Sequence, residues 1–348
     1  MKTLYIADVR SMNNNGISPG HYFPVASNYY NMFKDTCKVL VTGGPIYKTK
    51  FNNTYLLPYD TYSQKSNIIN KIRTLKNLMF LFKHKNENDI IIIQSSSVAT
   101  ALIGIALFKQ SKCKVYTIQY NTECVNSPIK KIIYKLASSK INGIICPDKK
   151  IGNAYKRPYC IVPDYIYTGH NAKKILPFSE RKYDFSLLGL ICKDKGVVEV
   201  AQKLKHTNYR ILIAGKPQTE EIKKEIIEIC KNSNNIELKL EYLSDEEYDT
   251  TIRNSKYCIL NYSGAYSEHS SGVVFDIIFR GTPVIGKKCK FLDFITVYNI
   301  GRIFDEIENF SPTEVLIPSV HQNYINNINN YYLTHQQHIL SLKNFLNL

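Results

Sequence analysis

Ile90-Ile-Ile-Ile93 is a run of four β-branched residues with no polar face, bounded by Asp89 and Gln94. A strand that is apolar on both sides must be covered on both sides, and the structures that do this are parallel sheets sandwiched between helices. The same kind of segment recurs along the chain. In the first half strands read at Leu4–Val9, Lys38–Thr42, Asp89–Gln94, Lys114–Gln119 and Gly143–Pro147. Helical periodicity reads at about 22–34, 66–84, 98–110 and 127–139. In the second half strands read at Asp184–Leu188, Tyr209–Ala214, Ile236–Leu240, Cys258–Asn261 and Pro283–Ile285, with helices near 196–205, 219–231, 245–254, 271–280 and 323–346. Strand–helix alternation from end to end is the pattern of an α/β protein.

A chain of 348 residues with 44% hydrophobic content suits two such domains better than one. Pro158 to Pro177 carries proline, glycine and lysine without a helical or strand period, so the linker is expected there. The division that follows is 1–165 for a first Rossmann-like domain, 166–180 for the linker and 181–322 for a second. A C-terminal helix over 323–348 is in a position to cross back to the first domain. Doubly wound sheets bind ligands beyond the carboxyl ends of their strands, so the expected active site is a cleft between the two domains.

Met1-Lys2 leads straight into Thr3-Leu-Tyr-Ile-Ala7, which does not read as a signal peptide. The longest apolar candidate, Val98 to Phe108, is about half of the roughly 20 residues that a spanning helix needs. Nine scattered cysteines form no C-x-x-C pair and no zinc spacing, which reads as reduced core thiols in a cytoplasmic protein. The net charge of +16 is uneven: residues 1–170 carry 23 Lys+Arg against 8 Asp+Glu, whereas 171–348 carry 22 against 21. A cationic half points to an anionic surface or substrate. Two of its helices are amphipathic and basic. Ser66–Lys85 sets Ile68, Ile69, Ile72, Leu75, Leu78, Met79 and Phe82 at helical spacing beside Lys71, Arg73, Lys76, Lys83 and Lys85; Pro128–Lys140 sets Ile129, Ile132, Ile133 and Leu136 beside Lys130, Lys131, Lys135 and Lys140. Such a stripe ordinarily faces the core, yet basic amphipathic helices also bind acidic lipids, so peripheral attachment to the inner membrane face is an expectation. No nucleic-acid motif is present, and nucleic acid is not an expected partner.

The segment that carries chemistry is Ser267-Glu-His-Ser-Ser-Gly-Val-Val-Phe-Asp-Ile-Ile-Phe-Arg-Gly-Thr-Pro-Val284. A strand ends in a small polar loop, Ser270 or Ser271 can cap the next helix, Gly281 stops it, and Thr282-Pro283 opens the next strand. Glu268 is then on the loop and Asp276 in the second helical turn. The free N–H groups at the helix start suit a phosphate.

This segment resembles the retaining family 4 (group 1) glycosyltransferases, whose pattern has two acids eight apart, the second opening E-A-x-x-x-G-x-P-V. Glu268 and Asp276 have that spacing, with Gly281, Pro283 and Val284 in register. Leu187-Leu-Gly-Leu-Ile-Cys-Lys-Asp-Lys-Gly196 is similar to the family's G-R-L-x-x-x-K-G segment, with Lys195 on the Lys; the Arg position is Leu190, and Lys193 is the nearby substitute. Ile211-Leu-Ile-Ala-Gly-Lys216 resembles the next strand and its glycine turn, and Leu243-Ser-Asp-Glu-Glu-Tyr248 a following helix start. The likeness spans about 184–304. It departs in carrying Asp for the second Glu, and Ser271 where the family has glycine, with Gly272 one place later.

The resemblance implies a GT-B fold, two doubly wound Rossmann-like domains facing a central cleft. It implies a cytoplasmic hexosyltransferase that uses a UDP- or GDP-sugar as donor substrate, with no cofactor and no metal. The acceptor is a glycan or lipid-linked precursor of surface polysaccharide. Glu268 contacts the donor sugar, Asp276 the ribose hydroxyls, and Lys195 the diphosphate. Lys193, Gly215, Lys216, His269, Ser270, Ser271 and Gly272 complete the donor-binding set. In the first half only the architecture is similar. Asn13-Asn-Asn-Gly-Ile-Ser-Pro-Gly-His21 is a glycine-bearing loop after the first strand, where Gly16 and Gly20 permit close approach to the donor phosphates and His21 can donate to phosphate or acceptor. The family's His after the fourth strand is replaced by Gln119-Tyr-Asn-Thr-Glu123, in which Glu123 is a weak candidate. Two rival readings are a nucleotide-sugar epimerase of the same fold and a non-catalytic nucleotide-binding, membrane-associated protein.

Overall fold

The computed structural model describes residues 2–10, 22–61, 67–94, 99–163, 166, 168, 175–264 and 271–348. The chain forms two compact units, one from residues 1–168 with 335–348 and one from 169–334.

The first unit is built on a seven-stranded parallel sheet. Its strands are β1 (Thr3–Ala7), β2 (Lys38–Gly43), β3 (Thr54–Leu56), β4 (Asp89–Ile93), β5 (Lys114–Ile118), β6 (Gly143–Cys146) and β7 (Tyr159–Ile161), in the order β3-β2-β1-β4-β5-β6-β7. β4 shows why the isoleucine run forms this structure. Ile90 and Ile92 enter the core on one face of the sheet, and Ile91 and Ile93 enter the core on the other. All four are at most 2% exposed, so the side-chain alternation of a strand places each residue against a separate helical layer. One layer includes Tyr22–Phe33 and the end of the last helix, Pro318–Leu346, through Ile339, Leu342 and Leu346. The other is made by Asn67–Phe82, Ala99–Phe108 and Pro128–Ser138.

The second unit has a six-stranded parallel sheet. Its strands are β8 (Tyr183–Leu188), β9 (Ile211–Ala214), β10 (Ile236–Lys239), β11 (Ser255–Leu260), β12 (Val284–Lys287) and β13 (Gly301–Phe304), ordered β10-β9-β8-β11-β12-β13. In both sheets the order reverses once, between β1 and β4 and between β8 and β11. These are the switch points beside which doubly wound sheets hold ligands. The expected α/β architecture of two doubly wound sheets is what the chain adopts.

Three strands differ from expectation: β3, β7 and β13 were not visible in the sequence pattern. β7 lies at the start of the segment expected to be linker, where it pairs with β6. The last helix begins at Pro318, five residues before the expected start. No helix among the described residues is long and apolar enough to cross a membrane.

Candidate functional site

The second unit gathers its polar side chains at the carboxyl edge of β8 and β9. Both strands end in glycine with positive φ, Gly189 at 90° and Gly215 at 145°. A Cβ on Gly215 would fall 1.8 Å from the Gly189 carbonyl oxygen, so the two turns touch backbone to backbone and no side chain fits between them. Hydrogen bonds from Gly189 N–H to Ala214 O (3.1 Å) and Ile191 N–H to Lys216 O (2.9 Å) hold this rim.

Lys195 follows in a single 3-10 turn, Lys193–Lys195, closed by Gly196 in the left-handed region. Its side chain is only 6% exposed, and burial holds its pKa below that of a free lysine. The Lys195 Nζ lies 3.3 Å from the Cβ position of Gly189, and the Val273 side chain 3.4 Å from the same point. One short glycine turn therefore brings together the buried ammonium and the start of the helix Gly272–Phe279. Lys193 is exposed, as is Lys216.

Ser271 is the N-cap of that helix, but its hydroxyl does not cap it; it pairs with the Tyr262 hydroxyl at 3.0 Å. The first-turn N–H groups thus lack a side-chain cap from Ser271. Asp276 lies one turn further along. It takes a hydrogen bond from the Tyr248 side chain, and its Oδ1 is 3.5 Å from Arg280. Its side chain keeps 46% of its exposure, yet the protein packed around it raises its pKa, with Arg280 and Tyr248 pulling the other way. Arg280 is itself fixed by Asp249 at 2.9 Å, and Asp249 also binds Arg253 at 2.9 Å.

A cavity of about 480 Å³ opens beside this group, lined by Gly189, Leu190, Gly215, Lys216 and, from the segment after β10, Tyr242, Leu243, Asp245 and Tyr248. Leu190, at the position where the resemblance implies an arginine, is 42% exposed and forms part of the wall. The structure thus brings Lys195, Gly215, Lys216, Gly272 and Asp276 to one edge of one sheet. Glu268, His269, Ser270, Gly16, Gly20 and His21 lie outside the described residues. Among the described residues no three His, Cys, Asp or Glu side chains form a group able to hold a metal ion.

Sequence reasoning missed Tyr242, Tyr248, Asp245 and Asn261. Asn261 directly follows β11, is 6% exposed, donates from Nδ2 to Gly196 O at 3.3 Å, and leaves its Oδ1 without a hydrogen bond. The first unit has a comparable row at its carboxyl edge. Asp8 follows β1, is fully buried and accepts from the Tyr47 hydroxyl at 3.0 Å. Gln94 follows β4 and is 3% exposed, with neither amide atom hydrogen-bonded. Gln119 follows β5 and accepts from Tyr155 at 3.1 Å, while its Nε2 has no partner. The signal in each case is a polar residue immediately after an apolar strand. Glu123, the weak candidate, is taken up by an ion pair with Lys130 at 2.5 Å.

No protein-family model matches the chain, and no curated protein matches it in sequence. Solved structures do match in fold. A glycosyltransferase from Rickettsia africae aligns with a TM-score of 0.68 at 14% identity, over 99% of this chain and 98% of that one. An E. coli structure described as trehalose-6-phosphate with UDP-2-fluoro glucose bound aligns with a TM-score of 0.63 at 9% identity, over 100% of this chain and 99% of that one. TarM aligns with a TM-score of 0.54 at 17% identity, over 79% of this chain, which spans 58% of TarM's length. At such identities the likeness is one of architecture, and the architecture, two doubly wound parallel sheets of seven and six strands, is the GT-B fold.

Proposed function

We propose that the chain is a glycosyltransferase of the retaining, family 4 type. It transfers a hexosyl-type residue from a UDP- or GDP-sugar to a glycan or lipid-linked acceptor in surface polysaccharide synthesis, without a metal. One observation carries this reading. The paired glycine turns at 189 and 215 border a cavity of nucleotide size, and the Lys195 ammonium and a helix start that the Ser271 side chain does not cap adjoin them. The bound sugar nucleotide in the E. coli neighbour supports a donor of this class.

In the proposed reaction the diphosphate occupies the Gly189 turn, between the Lys195 ammonium and the N–H groups of Gly272 and Val273. The bond between the anomeric carbon and the phosphate oxygen breaks, and the electron pair leaves with the nucleoside diphosphate. Lys195 and the helix dipole stabilise that growing charge, which burial strengthens because water does not screen it. The acceptor hydroxyl bonds to the anomeric carbon on the same face, and its proton passes to the departing phosphate oxygen. Asp276 accepts from the ribose hydroxyls, held in place by Tyr248 and Arg280. Glu268 positions the sugar.

Calorimetric titration with UDP, GDP and their sugars tests this directly. The expected result is binding of one diphosphate with one-to-one stoichiometry, weakened in Asp276→Ala. Failure of both UDP and GDP to bind at millimolar concentration overturns the proposal.

A further inference from the structure

Of the helices on the first unit's sheet, Asn67–Phe82, Ala99–Phe108 and Pro128–Ser138 lie side by side on one face. Their buried sides share a single core through Leu78, Leu81, Leu102, Ile105, Tyr134 and Ala137. The middle helix packs against both others. At its contact with the first, Gly104 leaves no room for a side chain, because a Cβ would stand 2.3 Å from Leu78 Cδ1. The sides turned away from the sheet thus make one continuous outer face.

That face is apolar where a soluble surface is normally polar. Ile68 is 69% exposed, Ile72 48%, Met79 51%, Ile129 73%, Ile132 65% and Leu136 66%. On the first helix the exposed residues recur at spacings of four and seven, and on the third at three and four, so each forms a stripe along its axis. On the same two helices Lys71, Lys76, Lys131 and Lys135 are all exposed. The three helices together contain six Lys and Arg and no Asp or Glu. Beside Met79 a depression of about 720 Å³ is walled by Phe80 and Phe108 and edged by Lys76, Lys83 and Lys85.

We propose that this face docks on a bilayer of anionic lipid, with the isoleucine and leucine side chains at the level of the acyl chains and the lysines among the phosphates. Two observations commit the face to that occupant. Aliphatic side chains with lysines interleaved, and no carboxylate among them, complement a surface that is apolar below and anionic above. The depression beside Met79 repeats the arrangement, with Phe80 and Phe108 as its apolar walls and Lys76, Lys83 and Lys85 at its edge. The inference goes beyond the transfer reaction and does not depend on it.

The test is co-sedimentation of the full chain with vesicles of pure phosphatidylcholine and of phosphatidylcholine with 30% phosphatidylglycerol, the second fraction being about what an acidic leaflet presents. The expected result is binding to the acidic vesicles alone, weakened at least tenfold by 0.5 M salt, which shortens the screening length to about 4–5 Å. Ile129→Ser with Ile132→Ser and Leu136→Ser should reduce partitioning by about tenfold or more. Lys71→Gln with Lys131→Gln and Lys135→Gln should do the same, each Lys contributing about a factor of five near the surface. All six positions are exposed, and unchanged thermal unfolding and unchanged nucleotide titration of each variant show that fold and donor site are intact. Binding of wild type and both variants to acidic vesicles with equal strength overturns the proposal. So does an absence of binding, or a concentration-dependent dimer abolished by the same substitutions.

Discussion

Lys195 holds an ammonium group where burial works against it, and this has a measurable signature. Its pKa lies below the ordinary lysine value of 10.5 because the charged form has lost water. The sign is therefore fixed: as pH rises, Lys195 loses its proton before an exposed lysine does, and the proposed transition-state stabilisation goes with it. The kcat/KM–pH profile, which reports the free enzyme, is expected to fall on an alkaline limb below 10.5, and Lys195→Arg, which keeps its charge to higher pH, should move that limb upward. Lys195→Ala should lower kcat by about 10²-fold or more with little change in thermal stability of the rest of the unit. Rates equal to wild type in Lys195→Ala would remove the residue from the mechanism. His321 is the second telling residue. It is 1% exposed, its Nε2 is 3.1 Å from the Lys256 carbonyl, and Phe178 and Tyr257 pack edgewise on its ring. Burial, with Arg181 and Lys256 nearby, pushes its pKa down to about 3 from 6.5. A neutral buried histidine contributes stability that is complete above pH 6.5 and is lost as the pH falls from 6.5 toward 3. The loss runs at about 1.4 kcal/mol per pH unit. Urea unfolding at stepped pH should show a slope shallower by about that amount in His321→Gln than in the wild type, where a second buried histidine, His335, is likewise pushed down to about 3.

At the scale of elements, Arg181 ties the entry of the second unit together. Among the described residues it is the largest fully buried side chain and has no carboxylate partner in its hydrogen bonds. It donates to Leu176 O (3.0 Å), Ser255 O (2.7 Å), Gly281 O (2.9 Å) and Thr282 Oγ1 (3.0 Å). These atoms come from the segment before β8, the start of β11 and the turn that ends the helix Gly272–Phe279. Burial lowers the guanidinium pKa to about 10. Arg181→Leu strips several buried oxygens of their donor at once, so unfolding free energy should fall by about 3 kcal/mol or more, read from the urea midpoint at constant m-value. The same scale explains what the sequence could reveal. β1, β4, β5, β8 and β11 are interior strands whose two apolar faces are written as continuous hydrophobic runs. β3, β7 and β13 are edge strands, partly exposed and three or four residues long, and their pattern blends with that of loops. Gly215, Lys195 and Asp276 could be singled out as candidates because each belongs to a local motif. The cavity was not, because Leu190, Lys216, Tyr242 and Asp245 come from separate loops that only strand pairing brings together. The isoleucines of Asn67–Phe82 and Pro128–Ser138 left two readings open, because periodicity marks an apolar face but cannot say whether protein covers it.

At the scale of the whole molecule, each unit has its own sheet and its own core, while the charge lies mostly in the first. A nucleotide held by the second unit should stabilise that unit by about 2.7 kcal/mol at a hundredfold excess over its Kd. In calorimetry the corresponding transition should move upward while the other stays in place. A single transition shifting as a whole would mean that the units unfold together. The helix Pro318–Leu346 leads to one more expectation. Its last turns belong to the first unit, where Phe345 fills the space above Gly143, Tyr116 donates to Phe345 O at 3.3 Å, and Lys2 reaches Asn347 O. Removing 335–348 should therefore destabilise the amino-terminal sheet rather than trim a tail, visible as early protease cleavage within residues 1–168. On the ribosome, then, residues 1–168 must wait, their hydrophobic interior unfinished, until the helix Pro318–Leu346 has left the exit tunnel. A nonsense codon within that helix would damage a part of the polypeptide already made.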